Sequence, residues 1–284
     1  MKKLILIALI ILLSIQIVFG GVISAKDLAQ LVKKENVVIV SARNEADYSK
    51  KHIKDAVNLY HNDLYKTEGV DALLKPAEEI AVILGNKGIS ETSKIVIYDD
   101  GENKLAGRIY WILDYLGAQD ISILDGHIKS WMKARLPVTL NVTEIVPAVF
   151  VPKVNNDIYA SMDYVKSNKD KADVILVDVR SADEFTGKAE DEKLQRKGYI
   201  PGAINFEYKN IINEDGTIKT REEMVKLLIA AGITSDKEVI LYCATSVRAG
   251  IIYMALKSML DYPRVRVYDG AYYEWESVSS NPVE

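Results

Sequence analysis

Hydrophobic positions along the chain form short runs that alternate with longer amphipathic segments. Six runs consist of four or five mostly β-branched residues: VVIV (37–40), KIVIY (94–98), ISIL (121–124), VILV (174–177), EVILY (238–242) and VRVY (265–268). These runs are too short for helices and predict strands that are buried on both faces. PAEEIAVILGNKG (76–88) and REEMVKLLIAAG (221–232) carry apolar residues at helical spacing and end at a glycine, which predicts two helices. Strands that alternate with helices predict an α/β fold with a mainly parallel sheet flanked by helices.

The same pattern occurs twice, which predicts two tandem domains of one fold. KGISETSKIVIYDD (87–100) matches AGITSDKEVILYCA (231–244), VVIVSARNEADY (37–48) matches VILVDVRSADEF (174–185), and ISILDGHIKSW (121–131) matches VRVYDGAYYEW (265–275). Between the copies, NVTEIVPAVFVPKVNN (141–156) contains two prolines and predicts an extended linker. We therefore place the first domain at 22–140, the linker at 141–157 and the second domain at 158–284.

The first residues of the chain predict a targeting segment. Met1-Lys2-Lys3 is positively charged, Leu4–Phe19 is an apolar stretch, and Gly20 and Gly21 follow it. This order is typical of a secretory signal peptide, assigned to residues 1–21, with Ala25 as a second cleavage position. The protein is therefore expected to be exported, to the periplasm or outside the cell. The alternative is an uncleaved membrane anchor, for which sixteen apolar residues are short against the roughly 20 of a membrane span.

Composition and charge narrow the classes of function. The chain is 49% apolar and 27% charged, as expected for a soluble globular protein. Its formal net charge of −4 offers no basic excess for binding nucleic acid. His52, His61 and His127 show no spacing typical of metal ligands, so we expect no metal site and ordinary surface or turn roles for these residues.

Cys243 is the single cysteine of the chain. An intrachain disulfide is excluded, and a lone cysteine commonly packs as a small apolar side chain. Cys243, however, directly follows a predicted strand and begins the turn CATSVR (243–248), which leads into a predicted helix. Ligands of α/β sheets bind at this edge, where turn amides and a helix N-terminus attract anions and favour a thiolate. With Arg248 adding positive charge, the pattern predicts that Cys243 is a nucleophile.

Several motifs together resemble the tandem rhodanese sulfurtransferases, the family of thiosulfate and 3-mercaptopyruvate sulfurtransferases. They are the strand ending in YC with its six-residue loop (243–248), DVR (178–180), YIPGAIN (199–205) and YDGAYYEW (268–275). The resemblance implies that Cys243 takes a sulfane sulfur from an anionic donor such as thiosulfate, polysulfide or mercaptopyruvate, holds it as a persulfide without any other cofactor, and passes it to cyanide or a thiol. It also implies substrate-binding roles for the remaining loop residues and one further arginine: Ala244, Thr245, Ser246, Val247, Arg248 and Arg180.

The first copy departs from this arrangement. Asp99 stands at the position of Cys243, in a loop that is one residue longer before the helix resumes at Ala106. Because a carboxylate cannot carry sulfane sulfur, the resemblance implies an inactive first domain that packs against the second and shapes its entrance. Asp99 and Asp100 are expected to cap a turn or a helix rather than to act in catalysis.

The second copy also departs from the known members of the family. Its loop matches neither the thiosulfate nor the mercaptopyruvate signature, and Glu184 stands where both groups carry a donor-binding arginine. The physiological donor and acceptor therefore stay open. The charged segment 181–198 is expected to be a solvated loop, with Arg196 and Lys197 reaching over the site as the alternative.

Two other classes of function remain as alternatives. The first is a non-enzymatic carrier of polysulfide or selenium, since a carrier needs the same persulfide. The second is a cysteine-dependent phosphatase or arsenate reductase, whose loops place five residues between cysteine and arginine, against four here. The expected partners are a small-molecule donor and acceptor, or a thiol-bearing acceptor protein, with no nucleic acid and with membrane contact only through an uncleaved leader. The sequence leaves the oligomeric state open.

Overall fold

A computed structural model describes residues 21–284 of the chain. The predicted leader lies outside the described residues except for Gly21, so the expectation of export stays a prediction. Within residues 21–284, no helix has the length and apolar character needed to cross a membrane.

The first copy alternates strands with helices as its hydrophobic pattern predicts. Its strands are β1 (Val22–Ile23), β2 (Val37–Ser41), β3 (His52–Ile53), β4 (Val57–Asn58), β5 (Lys94–Tyr98), β6 (Asp120–Leu124) and β7 (Val138–Thr139). Its helices are α1 (Ala25–Leu31), α2 (Glu45–Lys50), α3 (Ala77–Asn86), α4 (Lys104–Tyr115) and α5 (His127–Lys133), with a 3-10 turn at His61–Leu64. Helix α4 begins at Lys104, two residues before the expected resumption at Ala106.

The second copy repeats the order after a segment, 140–155, that contains no helix or strand. Its strands are β8 (Tyr159–Ala160), β9 (Val174–Asp178), β10 (Ile204–Asn205), β11 (Glu238–Tyr242) and β12 (Val265–Tyr268). Its helices are α6 (Met162–Asn168), α7 (Ala182–Phe185), α8 (Arg221–Ala230), α9 (Ala249–Met254) and α10 (Ala271–Ser277), with 3-10 turns at Asn156–Ile158 and Tyr208–Ile211 and a π-helical turn at Ala255–Met259.

Each copy builds one five-stranded sheet, and all strand pairs in the two sheets are parallel. The order is β1-β6-β5-β2-β4 in the first copy and β8-β12-β11-β9-β10 in the second, so equivalent strands occupy equivalent places. A small antiparallel ribbon, β3 with β7, is separate from the sheets. The predicted fold class is confirmed. Because every strand of a parallel sheet ends at the same edge, loops that follow β9 and β11 meet there.

The two copies pack through helices α4 and α9. Gly107 of α4 lies against Gly250 of α9, and a Cβ added at Gly107 would approach the backbone nitrogen of Ile251 to 2.4 Å. Glycine is therefore required for the two helix backbones to come this close. The largest apolar cluster contains side chains of both copies, whereas two smaller clusters each belong to one copy. The interface is thus part of the main core.

Two aspartates link the copies in equivalent ways. The carboxylate of Asp125 accepts a hydrogen bond from the amide of Ile218 (2.9 Å), and that of Asp269 accepts one from the amide of Leu74 (3.1 Å). Each aspartate follows the fifth sheet strand of its own copy, β6 or β12, and binds a backbone group of the other copy. Asp269 differs in one respect, since it also forms an ion pair with Arg108 of α4, at 2.6 Å.

Candidate active site

Cys243 lies at the carboxyl end of β11, where the sequence pattern predicts it. Its carbonyl accepts a hydrogen bond from the amide of Tyr272 (3.0 Å), which fixes the start of the loop against α10. The side chain is fully buried. A cavity of about 590 Å³ opens beside the loop, and Thr245, Val247 and Arg248 are among the residues that line it.

The loop 244–248 turns sharply because Ser246 adopts a left-handed conformation, with φ of 57°. The hydroxyl of Ser246 donates to the carbonyl oxygen of Tyr268, which anchors this buried residue. Within residues 21–284, no oxygen or nitrogen atom accepts from the amides of Thr245, Ser246, Val247 and Arg248. Successive amides in a turn of this kind form an anion-binding concavity. Of the predicted loop residues, Thr245, Val247 and Arg248 line the cavity, whereas Ala244 and Ser246 are buried.

The equivalent loop of the first copy already holds an anion of its own. The buried carboxylate of Asp99 accepts hydrogen bonds from the amides of Gly101 (2.7 Å), Asn103 (3.3 Å) and Ala106 (3.2 Å). This geometry agrees with the expected capping role of Asp99. It also shows that amides of this loop, in this fold, point towards the residue at the end of the strand.

Arg248 is held by Glu184 in a bidentate ion pair. Both hydrogen bonds, from the two terminal nitrogens to the two carboxylate oxygens, measure 2.7 Å. Burial acts to raise the pKa of Glu184, but the hydrogen bonds and charge of Arg248, with those of Ser181, lower it to about 2. Burial acts to lower the pKa of Arg248, yet hydrogen bonds and charges from Glu184 and Cys243 raise it above its ordinary value. The arginine therefore faces the thiol on one side and a carboxylate on the other.

Arg180 does not line the cavity beside the loop. Its guanidinium is almost fully buried, forms an ion pair with Asp178 at 2.6 Å, and donates to the carbonyl of Gly198 at 2.7 Å. It also lies over the ring of Tyr272, 4.1 Å from the ring centre. These contacts give Arg180 a structural role beneath the site, and its predicted contact with a donor stays a prediction.

The first copy contributes residues to the cavity that the sequence patterns do not single out. Among them are Tyr60, His61, Glu102, Lys104 and Leu105. His61 donates to or accepts from the hydroxyl of Tyr65 at 2.9 Å, and burial, followed by the charges of Arg108 and Lys104, lowers its pKa to about 4. His61 is therefore neutral near pH 7. The position of His61 after β4, at the edge where the sheet strands end, is the signal in the sequence that could have identified it as a cavity residue.

The histidines were expected to have surface or turn roles, and the surface part of this expectation is wrong. His52, His61 and His127 are all buried, at 1%, 8% and 0% exposure. His127 accepts a hydrogen bond from the amide of Asp99 and its other ring nitrogen contacts Asn103 at 2.7 Å, so it supports the loop of the first copy. Each histidine fills a specific hydrogen-bonding position in the interior, which spacing along the sequence does not reveal.

The charged segment 181–198 reaches across to the first copy, though not with the residues considered from the sequence. Arg196 donates to main-chain carbonyls near the C-terminus, including those of Glu276 and Asn281, and Lys197 pairs with Glu190. Lys193 instead forms an ion pair with Asp71 of the first copy at 2.6 Å. Lys193 and Asp71 line a second opening, of about 400 Å³, that also contains Thr245 and Val247.

Comparison with known families identifies both copies independently. The sequence model of the rhodanese-like domain matches residues 24–134 and residues 161–278. Together the two matches cover most of the chain. They coincide with the two sheets and their flanking helices.

Comparison with individual proteins gives the same result over most of the chain. The chain is 30% identical to a thiosulfate sulfurtransferase of Azotobacter vinelandii over 265 residues, which is 93% of this chain and 96% of the relative. It is 33% identical to a sulfur carrier protein of Thermus thermophilus over 72% of this chain and 76% of that protein. Among solved structures, an anaerobic ergothioneine biosynthesis enzyme from Chlorobium limicola, in complex with trimethyl histidine, superimposes with a TM-score of 0.85 at 25% identity, covering 93% of this chain and 70% of that one.

Proposed function

The chain belongs to the rhodanese-like family and is a sulfurtransferase, and on this premise we propose that Cys243 carries the transferred sulfur as a persulfide. The observation that supports this proposal most directly is the contrast between the two loops. In the first copy the loop amides bind the carboxylate of Asp99, whereas the amides of residues 245–248 in the second copy have no oxygen or nitrogen acceptor among residues 21–284. The second loop is therefore suited to hold an anion that the chain itself does not supply.

The reaction follows from one nucleophile and two displacements. The thiolate of Cys243 attacks the outer sulfur of thiosulfate or polysulfide, or the thiol sulfur of mercaptopyruvate, whose C–S bond then breaks as its electron pair leaves with the enolate of pyruvate. With thiosulfate, the bond between its two sulfur atoms breaks, and the electron pair leaves with sulfite. Cyanide or a thiolate then attacks the terminal sulfur of the persulfide and restores the thiolate, so that the cycle needs no second cysteine and no cofactor.

The parts of the site have distinct roles in this scheme. The amides of residues 245–248 stabilise the terminal sulfur of the persulfide, and Arg248 stabilises the negative charge on Cys243. Thr245 and Val247 line the path that the donor takes to the sulfur. The first copy acts without a nucleophile of its own, since Asp99 occupies its loop, and it forms the opposite wall of the cavity.

The proposal is tested by intact-mass measurement combined with turnover. After exposure to thiosulfate or polysulfide, we expect the protein to gain the mass of one sulfur atom and to lose it when cyanide is added. An excess of cyanide should then yield many equivalents of thiocyanate per protein. A protein that gains no sulfur from either donor contradicts the proposal, as does hydrolysis of a phosphate ester at a comparable rate.

A second candidate is that the protein acts mainly as a sulfur carrier. The similarity to the sulfur carrier protein of Thermus thermophilus favours this candidate. A carrier would gain sulfur in the same mass measurement, but each protein molecule would release only one equivalent of sulfur to small acceptors. The turnover experiment therefore separates a carrier from an enzyme.

We also propose that the protein is exported. The support is the charged and apolar order of residues 1–21, which is typical of a signal peptide. N-terminal sequencing of the protein isolated from cells should begin just after Gly20, Gly21 or Ala25. An N-terminus that starts at Met1 or Lys2 in a soluble fraction would contradict export through this segment.

A further inference from the structure

The ion pair between Glu184 and Arg248 occupies the outer edge of the guanidinium that faces the cavity. The two hydrogen bonds run in parallel, each 2.7 Å long, and the side chains are 24% and 21% exposed. A planar guanidinium binds a carboxylate or a sulfonate best through two parallel hydrogen bonds on one edge. With Glu184 in place, that edge is not available to the sulfonate group of a donor.

Glu184 is itself fixed before any ligand arrives. Its carboxylate accepts hydrogen bonds from the amide of Ser181 (3.1 Å) and from the Ser181 hydroxyl (2.9 Å). In return, the hydroxyl of Ser181 accepts from the amide of Glu184, which makes a capping box at the start of α7. The ion pair is therefore built into a helix start rather than formed by two mobile surface side chains.

The other charges that line the cavity balance one another. Glu102 pairs with Lys104, and Glu207 and Lys209 complete the set with Glu184 and Arg248, so three carboxylates face three cations. Arg180 adds no charge to the cavity because Asp178 neutralises it in the interior. A dianion that enters the cavity therefore meets no net positive charge from its lining.

We propose that Glu184 is a specificity-determining residue that disfavours dianionic inorganic donors and favours small organic persulfides, R–S–SH, with an uncharged carrier R. This inference rests on the proposed function and refines its substrate class. In the favoured step, the thiolate of Cys243 attacks the outer sulfur of R–S–SH, the S–S bond of the donor breaks, and its electron pair leaves with R–S⁻. The products are the protonated persulfide of Cys243 and the thiolate, so atoms and charge balance and no oxidant or reductant is needed.

The preference follows from the direction of attack. In thiosulfate the sulfonate group lies directly behind the outer sulfur, so it must point away from Cys243 and into the cavity. There the sulfonate would approach the edge of the Arg248 guanidinium that the carboxylate of Glu184 already occupies. The two negatively charged groups would then repel each other. An organic persulfide places an uncharged carrier in the same space.

The test compares Glu184→Gln with Glu207→Gln, using thiosulfate and the persulfide of 2-mercaptoethanol as donors. Glutamine can keep the capping box, since this position accepts either residue, while the charge on Arg248 is released. Glu207→Gln removes the same charge from the same cavity without a contact to Arg248. The measured quantity is kcat/KM for sulfur loading with each donor. Loading is monitored by rapid quenching of the reaction and intact-mass measurement.

We expect Glu184→Gln to raise the ratio of kcat/KM for thiosulfate over the organic persulfide by about tenfold, mostly through a lower KM for thiosulfate. Glu207→Gln should change the ratio by less than about threefold. Equal changes in the two variants, or no change in Glu184→Gln, overturn the inference while leaving the proposed function intact. A wild-type protein that neither donor loads would instead overturn the proposed function itself.

Discussion

Substitution of Cys243 by serine is expected to lower kcat/KM for sulfur transfer by at least about a thousandfold. A serine hydroxyl has nearly the same size as a thiol, but it is not ionised near neutral pH and does not form a persulfide. Because Cys243 is the single cysteine of the chain, no other residue can take over its role. Thiocyanate formation from thiosulfate and cyanide measures the loss, and intact mass should show no added sulfur on the variant.

The control for this variant is its thermal unfolding. The side chain of Cys243 is fully buried, so a hydroxyl in its place should reduce the free energy of unfolding by only about 1 to 2 kcal/mol. If the serine variant is folded, its loss of activity is therefore due to the missing thiol. If the serine variant kept more than a tenth of wild-type turnover, the transferred sulfur would have to pass through another group, and the proposed mechanism would fail.

Replacement of Asp269 by asparagine is expected to destabilise the folded protein by roughly 3 to 5 kcal/mol. Arg108 has no exposed surface, and its Nη1 atom has no hydrogen-bond partner among the described residues. It lies against the rings of Tyr65 and Trp111, 5.3 and 4.7 Å from their centres. With Asp269 neutral, a buried guanidinium would lose its counter-ion. Urea or thermal unfolding measures the difference.

Asp125→Asn is the matched control for this prediction. Asp125 occupies the equivalent place in the first copy and accepts an amide hydrogen bond from Ile218, but it has no arginine partner in the part of the chain that the structure describes. Its replacement should cost about 1 kcal/mol. The double variant Arg108→Leu/Asp269→Asn should recover at least half of the loss, because it removes both charges. Equal losses in the two asparagine variants, or additive losses in the double variant, would contradict an energetic role for the ion pair.

Much of the fold could be predicted from the sequence because the responsible signals are local. Strands such as β5 and β11 are short apolar runs, and the place of Cys243 at the end of β11 follows directly from such a run. The internal repetition predicted two domains. Because both copies have the same order of elements, it also predicted that they share one topology. The position of the loop 243–248 followed from the rule that parallel strands end at one edge.

The partners of the site residues could not be predicted in the same way. Glu184 and Arg248 are 64 positions apart, and Arg108 and Asp269 are 161 positions apart in different copies. Each pair depends on how loops and helices meet in three dimensions. Arg180 is a local case, since it forms an ion pair with Asp178, two residues earlier, while its contact with a donor stays a prediction.

The close approach of Gly107 and Gly250 ties the loop 243–248 to the first copy. Gly250 lies two residues after Arg248, so the helix that leads out of this loop packs directly on the backbone of α4. Under the proposed function the first copy needs no nucleophile of its own, but the shape of its helix α4 matters. A larger side chain at this helix crossing should displace α9 and, with it, the proposed sulfur-binding loop.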